Sequence, residues 1–227
     1  MVSVLTFNGT TLTDEGNHRE SVMSDGKEVV ETTSAMSCCP RSQVRRAAHR
    51  ATGERAPAYG LIDRLKTAHV AFVEDGEPRI VPMTVWRLEH DLYLHCLNGG
   101  RLSRVLSSGS LLCISFAITN DWVMSKSAFH HSANYESLVL FGRPSLVEEE
   151  REFDAAFKAI INQIEPDRWD SVRPPNAKER KATCLFRVPI REGAFKSRTG
   201  GPNEEPDDMS LPIWHGTLPA NRHEYVG

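Results

Sequence analysis

Long hydrophobic runs are missing from this 227-residue chain. None reaches the ~20 apolar residues that a membrane-spanning helix needs, and the N-terminus has neither the basic start nor the apolar core of a secretory signal. An excess of charge of one sign is missing too. With 27 lysines and arginines against 30 aspartates and glutamates, the formal net charge is −3, so the global electrostatics select neither nucleic acid nor an anionic membrane as partner. Cysteine is scarce. The five present make no even framework of the secreted kind; Cys38 and Cys39 are adjacent and lack the spacing to share a tetrahedral metal site, while Cys96, Cys113 and Cys184 fall in apolar, strand-like runs. No metal site and no internal repeat is expected. These absences leave a reduced, soluble, cytoplasmic protein of one main domain plus tails, acting on small molecules or other protein chains.

What is there begins with a segment, residues 1–40, rich in Ser, Thr, Glu, Asp and Gly, which reads as a flexible tail. The basic stretch from Arg41 to Arg50 reads as an arm lying on a partner subunit rather than as a nucleic-acid contact. Tyr59, Ile62 and Leu65 then recur at helical spacing, and after Lys66 the period changes. Runs beginning at Ala68, Arg79, Asp91, Leu111 and Ser137 are strands by their β-branched and aromatic content, with Glu74-Asp-Gly-Glu as a hairpin turn. Pro82 inside the second run cannot donate to a ladder, so it marks an edge, a bulge or a place where backbone faces a ligand. From Glu149 to Ile164 one apolar face recurs at helical spacing, and Asn176 with Glu179 resembles a capping box. Further strands are expected from Ala182 and from Gly193. Short strands joined mostly by hairpins imply a mainly β, largely antiparallel small barrel with flanking helices, not a doubly wound parallel sheet. The barrel domain is expected to span residues 41–219, followed by a C-terminal tail over 220–227.

The chemistry-bearing residues are cationic. Gly99-Gly100 opens a short helix with Arg101 at its start, where unpaired N–H groups and the local dipole suit an anion such as phosphate. One arginine holds a desolvated phosphate poorly, so a second cation is implied, and Arg79 is the candidate. By themselves these two residues read equally as a phosphate clamp or as surface cations with no ligand.

In its ordered set of segments the chain resembles the pyridoxamine 5′-phosphate oxidase-like flavin proteins, and within them the branch that includes nitroimidazole-resistance proteins. The matching segments are His69-Val-Ala-Phe-Val, Pro82-Met-Thr-Val-Trp-Arg, Leu92-Tyr-Leu-His, Gly100-Arg-Leu-Ser-Arg-Val-Leu, the run from Ala128 to Arg143, Arg168-Trp to Pro174-Pro, and Leu211 to Pro219. The resemblance implies an FMN-binding split β-barrel working as a homodimer, with FMN at the subunit interface. It places Arg79, Val81, Pro82 and Met83 along the flavin, and His95, Cys96, Gly100 and Arg101 at its ribityl phosphate. Leu102 stands where the oxidases often carry lysine, so Arg79 or Arg104 has to compensate. Asn134, Lys196 and Arg198 are further cofactor-binding candidates, the last two reading equally as solvated loop cations.

His130 and His131 are adjacent, so on a regular strand they would point to opposite faces and could not share one ion. They, Tyr135 and Trp214 are the candidates for substrate contact or the flavin rim, with a structural role as the plainer reading. Trp214, flanked by prolines, reads most simply as a buried anchor, and Trp86, Trp122 and Trp169 as packing residues. Two functions follow. One is an FMN-dependent oxidoreductase acting on a small nitro-aromatic, quinone-like or biosynthetic substrate, its chemistry belonging to the cofactor. The other is a flavin- or haem-binding protein without turnover, for which His130, His131 and His215 are the suggestive ligands. No catalytic acid or base stands out.

Overall fold

Along residues 67–74 every second side chain is buried: Ala68, Val70 and Phe72 point one way, and the residues between them the other. That period of two makes the segment a half-buried strand, and it recurs around the computed structural model, which describes residues 34–221. In chain order the strands are β1 (Ala51–Thr52), β2 (Thr67–Glu74), β3 (Glu77–Leu88), β4 (Asp91–Leu97), β5 (Leu112–Met124), β6 (Ser132–Gly142), β7 (Ser145–Leu146), β8 (Thr183–Pro189), β9 (Glu192–Arg198) and β10 (Gly216–Pro219). Four α-helices accompany them: α1 (Arg55–Leu65), α2 (Arg101–Ser107), α3 (Glu150–Ile164) and α4 (Ala177–Ala182). The strand order is β1-β9-β6-β5-β2-β3-β4-β8-β7, with β10 added against β5. All pairings between these strands are antiparallel. This curled sheet with flanking helices is the expected split barrel.

The hairpin between β2 and β3 turns through Asp75 and Gly76, both at positive φ (52° and 78°), the geometry that matches strand twist in a two-residue turn. At Gly193 the demand is steric: a Cβ there would stand 2.5 Å from the Val139 carbonyl oxygen. The main core lies inside the curl, where α1 places Ala58, Leu61 and Ile62 against Val70, Ile114, Phe116 and Leu138. A second core forms on the far side of β4 and β8, where Phe153, Ala156 and Ile160 of α3 pack on Trp86, Tyr93 and Leu185. Asn176 caps α4 with the expected capping box, accepting from the Glu179 N–H while the Glu179 carboxylate accepts from its own.

Several expectations change. Strand β5 runs on to Met124 instead of stopping near Ala117, through an irregularity between Thr119 and Asp121, and β6 begins at Ser132 to match it. Residues 34–40, read as tail, are docked: Met36 is buried in the main core and donates its N–H to Gly53. The basic stretch after Pro40 also lies on its own barrel, Arg41 pairing with Glu192 of β9. The rest of the tail reading, residues 1–33 and 222–227, lies outside the described residues.

Candidate functional site

Strand β3 changes partner along its length. Glu77–Thr84 pair with β2, and only Val85–Leu88 pair with β4, so over its first eight residues one backbone edge of β3 has no strand beside it among the described residues. Pro82 sits in this stretch, exposed and opposite His69, where its missing N–H breaks no ladder. Its neighbours Val81 and Met83 turn inward against the main core. On the outer side Ile80 is 62% exposed and Val73 61%. A long apolar edge of this kind calls for a covering partner or ligand.

At the mouth of that edge the sequence-nominated arginines meet, through a residue that was not nominated. Arg101, first residue of α2 after the cap residue Gly100, donates from Nε to Glu74 Oε2 at 2.6 Å and also from Nη2 to the same oxygen. Arg79 Nε lies 3.9 Å from that oxygen, and its Nη2 donates to Glu77 Oε2 at 2.5 Å. The Arg101 guanidinium is the main cause that holds the Glu74 carboxyl below the ordinary carboxylate range. Arg104, the other compensating cation, donates to the Gly99 carbonyl at 3.1 Å. Glu74 and Glu77 face each other across the hairpin. A two-residue turn and the strand period put both carboxylates and Arg79 on one face, which was readable in the sequence; Arg101 reaches them only through the fold.

The other candidates separate. His95 stands beside Trp86 and Phe157 (ring centroids 6.0 and 5.8 Å), toward α3, and burial lowers its pKa. Cys96 takes the opposite face and packs toward the main core across from Cys184, with burial pushing its thiol up to about 11. Asn134 is buried, donating to Asp121 Oδ2 at 3.1 Å and accepting from Arg198 at 2.5 Å. Arg198 also donates to the carbonyls of Gly200 and Gly201, and Lys196 to that of Arg46. All three thus have partners within the chain at the β6–β9 margin. Tyr135, partly buried, lies there too, opposite Arg198.

A second polar cluster ties the C-terminal segment to the end of β5. The Glu204 carboxylate accepts from Ser125 Oγ (2.7 Å) and the Lys126 N–H (3.0 Å), and lies 2.9 Å from His215 Nδ1. Burial opposes its charge, but these hydrogen bonds outweigh burial and keep its pKa low. Nearby, His130 Nε2 lies 3.5 Å from Glu205, whereas His131 Nδ1 meets the Ser127 carbonyl at 3.0 Å. The two histidines thus have different partners. Trp214 is 60% exposed, not a buried anchor, and Trp122 is exposed as well, because the extended β5 carries it past the core. Trp86 alone of these is fully buried.

A cavity of about 380 Å³ opens between β7, β8, α3 and α4, lined by Leu146, Phe153, Arg180 and Leu185 among others, and none of the nominated residues lines it. Among the described residues no group of three His, Cys, Asp or Glu side chains could hold a metal ion, and no helix is long and apolar enough to cross a membrane.

The family model for pyridoxamine 5′-phosphate oxidase matches residues 54–197. Among solved structures the fold is similar to the flavocytochrome Anf3 from Azotobacter vinelandii, with 28% identity, 83% of this chain and 87% of that chain covered, and a TM-score of 0.75. It is similar also to a FAD and haem binding protein from Mycobacterium smegmatis, at 26% identity, 75% and 83% coverage, and a TM-score of 0.71. A candidate 5-nitroimidazole antibiotic resistance protein from Bacteroides thetaiotaomicron shares the fold at 19% identity, with 64% and 85% coverage and a TM-score of 0.55. Comparison with curated proteins gives no match.

Proposed function

The chain belongs to the pyridoxamine 5′-phosphate oxidase family, and from that premise we propose that it is an FMN-dependent oxidoreductase acting, as a homodimer in the cytoplasm, on a small nitro-aromatic, quinone-like or biosynthetic substrate. The observation that carries this reading is the convergence of Arg79 and Arg101 on one oxygen position beside the unpaired edge of β3. Two guanidinium forks suit phosphate oxygens, and an open backbone edge offers N–H and C=O groups to a planar polar ring. The residues present thus fit a flavin, with Leu102 contributing no charge. When bound, the flavin supplies hydride or electron transfer between a reduced donor and the substrate. Arg79 and Arg101 anchor its phosphate, the Glu77–Thr84 edge orients its ring, and Val81 and Met83 keep the floor beneath that edge apolar. A second protomer covering Val73 and Ile80 on the β2–β3 hairpin would exclude water there.

A second reading, a haem beside the flavin, is supported by His215. Glu204 holds its Nδ1, the orientation in which an imidazole presents Nε2 to a metal, and Ile213 and Trp214 are exposed next to it. Two of the similar structures, at 28% and 26% identity, are a flavocytochrome and a FAD and haem binding protein. One experiment serves both readings: a visible absorption spectrum of the purified protein, then of the protein reconstituted with FMN and with haemin, before and after anaerobic NADH or NADPH. A flavin band that bleaches supports the oxidoreductase, and one that persists favours a carrier or another donor. A Soret band lost in His215→Ala supports the haem. A protein that takes up neither cofactor overturns both readings.

A further inference from the structure

Arg101 already holds an anion, and that anion is part of the chain. We propose that Glu74 is a built-in competitor for the flavin phosphate: its carboxylate occupies the Arg101 guanidinium and must leave when the phosphate arrives. This rests on the reading that the phosphate binds Arg79 and Arg101.

Glu74 is well placed for such an exchange. Its Oε2 receives two N–H groups of Arg101 and faces Arg79, and its side chain is the least exposed of the three, at 21% against 54% and 43%. Around it the charges balance: Arg79, Arg101 and Arg104 stand among Glu74, Asp75 and Glu77. With Glu74 in place, the cluster therefore carries no uncompensated cation pair. Ion pairs this exposed are weak and screened by salt, so a phosphate offering more oxygens in a bidentate geometry can replace the carboxylate. Once displaced, Glu74 lies beside the phosphate and directly across the hairpin from Glu77, a like-charge arrangement that disfavours the loaded state. The flavin phosphate is bound against this opposition, and the site remains exchangeable in a way that two free arginines would not be. Loading also releases the β2–β3 turn from α2.

The test compares FMN with riboflavin, which lacks the phosphate, by titration of the full-length cofactor-free protein. Glu74→Gln keeps the shape of the side chain and removes its charge. It is expected to bind FMN about three- to tenfold more tightly than the unmodified chain, to leave riboflavin affinity unchanged, and to lose its advantage at high salt. In an Arg101→Ala background the same substitution is expected to gain less for FMN, since only the contact with Arg79 and the repulsion of the phosphate remain. Equal FMN affinity for the unmodified chain and Glu74→Gln overturns the competitor while the flavin reading stands. A gain for FMN and riboflavin alike also overturns it, since the effect would then act through the barrel. No binding of either flavin to either protein overturns the flavin reading and this proposal together.

Discussion

The indole N–H of Trp86 on β3 donates to the Ala156 carbonyl of α3 at 2.8 Å, between two buried residues. This bond fixes the helix on the sheet at one point, and the ring fills the space between Tyr93 and Phe157. Trp86→Phe removes the donor and part of the ring together. The expected loss is about 1–3 kcal/mol of unfolding free energy, read as a lower denaturant midpoint with an unchanged slope. A midpoint equal to that of the unmodified protein would mean that the bond does not anchor α3.

Gly193 makes the opposite kind of contact, an approach rather than a bond. Added Cβ atoms can push flexible side chains aside, but here the nearest atom is the Val139 backbone oxygen, with Leu140 beside it. Gly193→Ala is expected to cost about 2 kcal/mol or more, since β6 and β9 must part to admit the methyl group. Thermal unfolding would show it as a drop of several degrees.

Arg101→Ala leaves the barrel intact, because the side chain is largely exposed. Removing this charge-assisted contact is expected to weaken FMN by about one to two decades. Full FMN affinity in a folded Arg101→Ala protein would place the phosphate elsewhere.

Acid should loosen the docking of Arg41 on β9. The Arg41 guanidinium, with help from the Cys39 thiol, holds the Glu192 carboxyl at about 2, down from an ordinary 4.5, against the opposing effect of burial. Because the folded pKa is the lower one, the unfolded chain takes up the proton first. The contribution of the pair is therefore complete above about pH 4.5 and is lost as pH falls toward 2. Arg41→Ala is expected to flatten that part of the stability–pH curve. An unchanged slope would show that Arg41 does not set the Glu192 titration.

The local patterns were legible before the fold was known, and the long-range ones were not. Runs rich in β-branched and aromatic residues announced β2 and β4, the apolar stripe of Phe153, Phe157 and Ile160 announced α3, and the Asn176–Glu179 spacing announced a capping box, because each signal lies within a few neighbouring residues. The reach of β5 to Met124 was not foreseen, since Asn120 and Asp121 interrupt the apolar run and pairing with β6 and β10 keeps the chain extended past them. At the candidate site, Arg79 and Arg101 stood out by type and position. Their partner Glu74 lies 27 residues from Arg101 along the chain, and nothing local tells which carboxylate an arginine will meet. Likewise the intrachain partners of Asn134, Lys196 and Arg198, namely Asp121, the Arg46 carbonyl and the carbonyls of Gly200 and Gly201, come from the fold and not from local sequence.

Val85 and Trp86 are consecutive, yet they point into different cores, Val85 toward α1 and Trp86 toward α3. They sit where β3 leaves β2 and joins β4. The strand is thus a splice between two halves of the molecule: a force applied at the hairpin tip by Glu74 or Arg79 is carried along one covalent rod into the packing of α3. Neither half can be pulled open there without unseating a neighbouring residue of the other, so their amides should lose protection from solvent exchange together.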